Sequence, residues 1–263
     1  MELKTMEFAV AEGIATITLK RPDAANALDL RMSEEILRVA SHCDSNPGIR
    51  AVILTGHGKM FCAGGDVMSF AAAGDGVSEM IRNMTAFLHS AVARFLRMNA
   101  PLITAVNGAA AGAGLSIALM GDIILAASSA KFTMAYTKIG VTPDGSSTFT
   151  LPRLVGMARA KEMVLLNPTY TAEEAAAKGL VTAAVPDEQL MAQAREIAVQ
   201  LANGPTLAYG EAKRLLADTF SNSLETQMEM ETRAIAGLAA HTRDAREGFK
   251  AFSEKRKPRF EGR

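Results

Sequence analysis

A chain of 263 residues, 49% hydrophobic and 21% charged, has material for one large packed domain, or a domain with an appendage, under a soluble surface. Its 28 Lys and Arg balance 28 Asp and Glu, so no global charge draws it to nucleic acid or an anionic membrane, and an anionic ligand must be held by a local arrangement. Two cysteines, Cys43 and Cys62, make no disulfide framework, and Met1 to Val10 carries Glu2, Lys4 and Glu7 where a signal peptide would be apolar; a reducing, cytoplasmic setting is expected.

In chain order, Phe8–Val10 and Ile14–Leu19 flank Gly13 and predict a hairpin. A helix is expected from about Asp29 to Cys43, with Leu30, Ile36, Leu37 and Ala40 among its apolar positions. Ala51–Leu54 has the character of a short buried strand ending at Gly56-His57-Gly58. Ser78 to Met98 predicts a long helix. Met98 to Gly121 contains no charged residue and is long enough to span a bilayer. Pro101 and the Asn107-Gly108 break nevertheless divide it into a strand, Leu102–Val106, and a short helix, Gly112–Met120, both too short to span. Ile123–Ala126 is a third buried strand, and Ser146–Val155 predicts a helix.

Strands with helices between them thus recur across roughly residues 5–185, an α/β pattern. After Pro186 only helices are expected: Asp187–Asn203 with Asp187 as its cap, Pro205–Ala217, Leu224–Ala239 and Thr242–Ser253. The chain divides into a core over 1–200 and a C-terminal helical region over 201–263. Helices with apolar stripes and no sheet to cover predict self-association.

Two strand-to-helix turns carry the first chemical signal. Phe61-Cys62-Ala63-Gly64-Gly65-Asp66 has adjacent glycines that let backbone N–H groups approach a ligand, and Asp66 can cap the next helix. Asn107 to Gly114 ends a strand and opens a helix whose first N–H groups are free to face a developing anion. Each alone reads equally as a tight packing turn; together they can supply one N–H each to a shared oxyanion hole. Elsewhere, Cys62 has no base fixed beside it and reads as a small packing residue. His42, His57, His89 and His241 are scattered without metal-ligand spacing, so no metal is expected. Gly56-His57-Gly58-Lys59 lacks the phosphate-loop pattern, and Asp122, between helix and strand, reads as structural. Asp144, before Gly145, either starts a turn, caps the helix over 146–155, or serves as a functional carboxylate.

The motifs FCAGGD and VNGAAAGAG, followed by GDIILAASSAKF, PDGSSTFTLPRLVG and FSEKRK, and preceded by LKRPDAANAL, resemble the crotonase (enoyl-CoA hydratase/isomerase) superfamily over almost the whole chain. The resemblance implies an α/β fold, a repeated β-β-α spiral core with a C-terminal helical region, and an acyl-CoA thioester as substrate with no further cofactor. It places the oxyanion N–H groups at Gly65 and Ala113, adenine against the carbonyls of Ala63 and Gly65, and the CoA path along Ala24 and Ala25. It implies a homotrimer or dimer of trimers in which Phe252 and Lys255 reach a neighbour's CoA site.

Hydratases of the superfamily use two glutamates, and the matching positions here are Ser116 and Tyr136. Isomerases and a dehalogenase of the superfamily place an aspartate at the point of Asp144, and the dehalogenase also has a histidine matching His89 but a tryptophan matching Tyr136. The resemblance is strongest to the branch of enoyl-CoA and 1,2-epoxyphenylacetyl-CoA isomerases, of fatty-acid and phenylacetate breakdown. It implies a single-carboxylate isomerase with Asp144 as acid and base and Tyr136 in the substrate site. Hydration is the alternative, with aryl-CoA dehalogenation or a non-catalytic CoA-binding subunit as minor ones.

Overall fold

The computed structural model describes residues 1–263. Strands β1 (Met6–Ala11) and β2 (Ile14–Leu19) form the expected antiparallel hairpin. Helix α1 (Leu30–Ser45) begins where Asp29 accepts the Met32 N–H, and it buries Met32, Ile36, Val39, Ala40 and Cys43. Leu30 is instead left exposed at its first turn.

Three successive β-β-α turns follow. The first comprises β3 (Ala51–Gly56), β4 (Met60–Cys62), α2 (Val67–Ala72) and α3 (Val77–Arg97). The second is β5 (Leu102–Val106), β6 (Ala109–Ala111) and α4 (Ala113–Ala118). The third is β7 (Ile123–Ala127), β8 (Lys131–Thr133) and α5 (Ser147–Leu166). In each turn the longer strand enters one sheet and the shorter strand a second. With β9 (Tyr170–Thr171), α6 (Ala172–Ala177) and β10 (Ala183–Val185) added, the sheets run β1-β2-β3-β5-β7-β10 and β4-β6-β8-β9. Pairing is parallel except for the β1–β2 and β8–β9 pairs at the edges. This is the crotonase-type α/β spiral: parallel strands need crossover helices, and the chain's repeated strand–strand–helix order supplies them.

The uncharged stretch after Met98 divides into β5, β6 and α4, and no helix is long and apolar enough to cross a membrane. The central strands β3 and β5 are buried almost throughout, as expected for strands covered on both faces. Helix α7 (Leu190–Ala202) lies on that sheet, turning Leu190, Ala194, Ala198 and Ala202 inward.

Helices α8 (Thr206–Asp218), α9 (Leu224–His241) and α10 (Arg243–Ser253) complete the chain. Asp122 ties α8 to the core, accepting from the Leu102 N–H at 2.7 Å and pairing with Lys213 at 2.7 Å. Arg50 reaches from the core to the carbonyls of Gly204 and Phe260.

Two local expectations are corrected. Residues 187–189 form a separate 3-10 turn before α7, and the Asp187 carboxylate accepts the Ser129 N–H instead of capping its own helix. Helix α5 runs past Val155 but is broken at Gly156, where φ is 76°.

Candidate active site

Buried Asn26 shapes the first turn by donating from Nδ2 to the carbonyls of His57, Met60 and Phe61. The strand end after β4 then runs beside the 25–28 segment: Ala63 N–H donates to Ala25 O, Leu28 N–H to Gly64 O, and Asp66 N–H to Leu28 O. Alternation along an extended segment leaves the Gly65 N–H facing the other way, with no acceptor in the protein. The carbonyls of Ala63 and Gly65 likewise receive no backbone donor. Asp66 caps α2 as expected, accepting the Ser69 N–H and pairing with Arg21 at 3.1 Å. Burial would raise the Asp66 carboxyl, but the Ser69 N–H and Arg21 outweigh it and hold the group below its ordinary value.

The second turn lies directly against the first. Gly64 has φ of 103°, and a Cβ there would sit 2.8 Å from Ala111 O and 3.2 Å from the Ala113 nitrogen. A side chain would therefore separate the two turns. At Gly114 a Cβ would fall 2.1 Å from Cys62 O, so α4 can approach β4 this closely only with glycine. Ala113 is the first residue of α4, and its N–H has no intrahelical partner and no other acceptor in the protein. Gly65 and Ala113 both line one apolar chamber of about 410 Å³.

Asp144 faces the same chamber from the loop before α5. Its carbonyl, not its carboxylate, starts the helix by accepting the Ser147 N–H and Oγ–H. The helix-cap reading of the carboxylate therefore falls away. Instead, Tyr136 donates from Oη to Asp144 Oδ1 at 2.5 Å, and the Ser116 hydroxyl lies 2.9 Å from the same phenol. Burial, with the Asp144 charge second, pushes the Tyr136 phenol well above its ordinary value, so it stays protonated and remains a donor. His89, projecting from α3, accepts the Gly145 N–H on Nε2 at 3.2 Å, and that nitrogen lies 3.8 Å from Asp144 Oδ2. No other carboxylate lines the chamber.

The structure thus brings together Ala63, Gly65, Ala113, Tyr136 and Asp144 of the residues singled out from sequence. Ala24 ends the adjoining 3-10 turn and Ala25 follows it; both lie outside the chamber wall, although Ala25 O holds Ala63. Phe252, 88% exposed on α10, and Lys255 just beyond it stand away from this chain's own chamber. Cys62 is buried, and burial pushes its thiol up to about 12, which leaves it a packing residue. Sequence reasoning missed the apolar walls: Phe70 against Gly65, and Ile81, Met84 and Leu88 on α3. The helical spacing of the last three was a usable signal. The Tyr136–Asp144 contact carried none, because a 3-10 turn over Tyr136–Ile139 creates it.

A sequence profile described as enoyl-CoA hydratase/isomerase matches residues 9–263. A Rhodobacter capsulatus protein named probable enoyl-CoA hydratase is 42% identical over 263 residues, covering all of both chains. The 1,2-epoxyphenylacetyl-CoA isomerase of Escherichia coli is 38% identical over 262 residues, 98% of this chain and 100% of the relative. Among solved structures, an enoyl-CoA hydratase from Bacillus anthracis superposes with a TM-score of 0.92 at 33% identity, covering 99% of this chain and 100% of that one.

Proposed function

The chain belongs to the enoyl-CoA hydratase/isomerase family, and from that premise we propose that it is an acyl-CoA isomerase using Asp144 as its single acid and base. The observation that carries this reading is the chamber itself: two backbone N–H groups without protein acceptors face it, together with one carboxylate. The two positions that the resemblance matches to the hydratase glutamates hold Ser116 and Tyr136, which are bonded to each other, and Tyr136 alone is bonded to Asp144. Neither can ionise to activate a water at neutral pH.

The chemistry follows from the electronics of a thioester. With a 3-enoyl-CoA, Asp144 removes a proton from C2, and the electron pair moves through the carbonyl onto oxygen. Gly65 and Ala113 N–H groups receive that oxyanion where it forms, an effect worth about 3 kcal/mol per donor in comparable sites. Asp144 returns the proton at C4, the dienolate collapses, and the double bond ends conjugated to the carbonyl. Atoms and charge balance with no water consumed. Rearrangement of an epoxide-derived acyl group, the reaction class in the name of the E. coli relative, makes the same demand for a stabilised enolate. The chamber's apolar walls suit a hydrocarbon or aryl acyl group.

We extend the proposal to assembly. Phe252 and Lys255 lie outside this chain's own chamber, and α8 to α10 with the preceding turns expose Leu216, Phe220, Leu224, Met228, Ile235 and Phe249. A homotrimer or dimer of trimers would cover apolar surface of this kind and bring the C-terminal residues to a neighbour's CoA site.

The test is product analysis. The protein is incubated separately with 3-enoyl-, 2-enoyl- and 1,2-epoxyphenylacetyl-CoA, and the products are identified by mass and NMR. Isomeric products of unchanged mass support the reading. A product heavier by one water as the dominant outcome favours hydration, the activity in the name of the R. capsulatus relative.

A further inference from the structure

The Asp144 carboxylate is held asymmetrically. Oδ1 accepts the Tyr136 phenol at 2.5 Å, whereas Oδ2 receives no hydrogen bond within the protein and has only His89 Nε2 near it, at 3.8 Å. Because Nε2 already accepts the Gly145 N–H at 3.2 Å, the imidazole presents a lone pair there and does not donate to Oδ2. On the other side the donors form a chain. With the Tyr136 proton committed to Asp144, the fully buried Ser116 hydroxyl donates to the phenol at 2.9 Å, the closer of its two acceptors, the Gly112 carbonyl being 3.4 Å away. The order is Ser116 Oγ–H to Tyr136 Oη–H to Asp144 Oδ1.

We propose that Tyr136, held in turn by Ser116, is the positioning residue for Asp144: it occupies Oδ1, fixes the carboxylate plane, and leaves Oδ2 as the oxygen that carries the transferring proton. The inference rests on Asp144 being the base. It also gives Ser116 and Tyr136 a use. Two side chains that cannot work as carboxylates form the scaffold that aims the one that can. Three features support the assignment. Tyr136 is pinned within the 3-10 turn that begins at its own position. Its burial together with Asp144 keeps it protonated, and a donor to a carboxylate makes a short, charge-assisted bond. Ser116, on α4, connects that bond to the helix whose first N–H faces the same chamber. The base and one oxyanion donor are therefore indexed to one rigid element, as precise proton transfer requires. The titratable groups facing Asp144 are Tyr136 from the loop after β8 and His89 from α3.

The test combines spectroscopy with kinetics on the full chain. The carboxylate stretch of Asp144 is isolated as the infrared difference between wild type and Asp144→Asn, then measured again in Tyr136→Phe. We expect the band to shift in Tyr136→Phe and to shift less in Ser116→Ala. With trans-3-hexenoyl-CoA as the probe, Tyr136→Phe should lower kcat roughly ten- to hundred-fold, the scale of one charge-assisted hydrogen bond. KM should stay within about three-fold, because the loss falls on proton transfer and not on binding. If Tyr136→Phe does not fold, 3,5-difluorotyrosine at position 136 keeps the shape and strengthens the donor, and the band should then move in the opposite direction. An unmoved carboxylate band in either folded variant overturns the proposal. So does an unchanged kcat in Tyr136→Phe when Asp144→Asn abolishes turnover. A shifted band with full turnover in Asp144→Asn instead removes the function proposed above and leaves the contact standing.

Discussion

In the proposed reaction the work of single residues is divided between one side chain and two backbone N–H groups. Asp144→Asn keeps the shape of the carboxylate but removes its basicity, so turnover should fall by about three orders of magnitude. Binding of a saturated acyl-CoA, measured by calorimetry, should stay within a few-fold; turnover equal to wild type would remove Asp144 from the mechanism. Ala113→Pro tests the oxyanion donor without touching any side-chain chemistry. Proline is tolerated at the first helical position, which Ala113 occupies, and it replaces the N–H with a ring methylene that also fills the oxyanion position. A loss of roughly 100- to 1,000-fold in kcat is expected, with Ala113→Gly near wild type in the same assay. These residues were legible to different degrees. The glycine patterns marked the two turns, because only a turn with little or no side chain lets two backbones meet, and the resemblance picked Gly65 and Ala113 within them. Asp144 was ambiguous from its neighbours: its carbonyl starts the turn into α5, and its carboxylate meets Tyr136 in place of a helix N–H, which removes the helix-cap reading alone. His89 looked like an ordinary helix-face residue until the fold set it against Gly145.

At the scale of elements, the long strands and helices follow the sequence closely. Strands β2 and β5 keep their expected limits and α3 shifts by one residue, while β1 starts two residues before Phe8. The second sheet was not legible: β4, β6 and β8 have three residues each and β9 has two. A period-two pattern cannot be recognised over so few positions. Their pairing is imposed by the neighbouring turns of the spiral. The buried Glu35 was equally hidden, since a helical glutamate normally faces solvent. It instead accepts the Lys4 and Thr5 N–H groups and the Thr5 hydroxyl, fastening the segment before β1 to α1. Burial acts to raise this carboxyl, but the Thr5 and Lys4 donors and nearby Arg31 outweigh it and hold it below its ordinary 4.5. Such a group stabilises the fold above that value and ceases to do so as pH falls through its folded-state value. Glu35→Gln should therefore cost about 1–3 kcal/mol at neutral pH, read by urea unfolding. The gap to wild type should narrow as the pH is taken below 4.5; a gap independent of pH would assign the effect to shape alone.

At the scale of the whole molecule, the apolar residues left in solvent by α8 to α10 are the main unexplained feature of a single chain. Association of identical copies removes such surface from water at a gain of roughly 25 cal/mol per Å². Light scattering should accordingly give a mass near three or six times 27.8 kDa, and truncation before Thr242 should weaken both assembly and CoA-ester binding. A stable, fully active monomer would contradict this arrangement. Which reaction one carboxylate and two N–H groups support is decided by one comparison in deuterated water. Initial rates are measured for 3-enoyl-CoA conversion to the 2-enoyl isomer and for 2-enoyl-CoA conversion to the 3-hydroxyacyl product, in wild type and in Asp144→Asn. Isomerisation should exceed hydration in wild type and collapse in the variant, with deuterium entering the product only as far as Asp144 exchanges its proton. Rapid hydration that survives Asp144→Asn would contradict this and would point to His89 as the base.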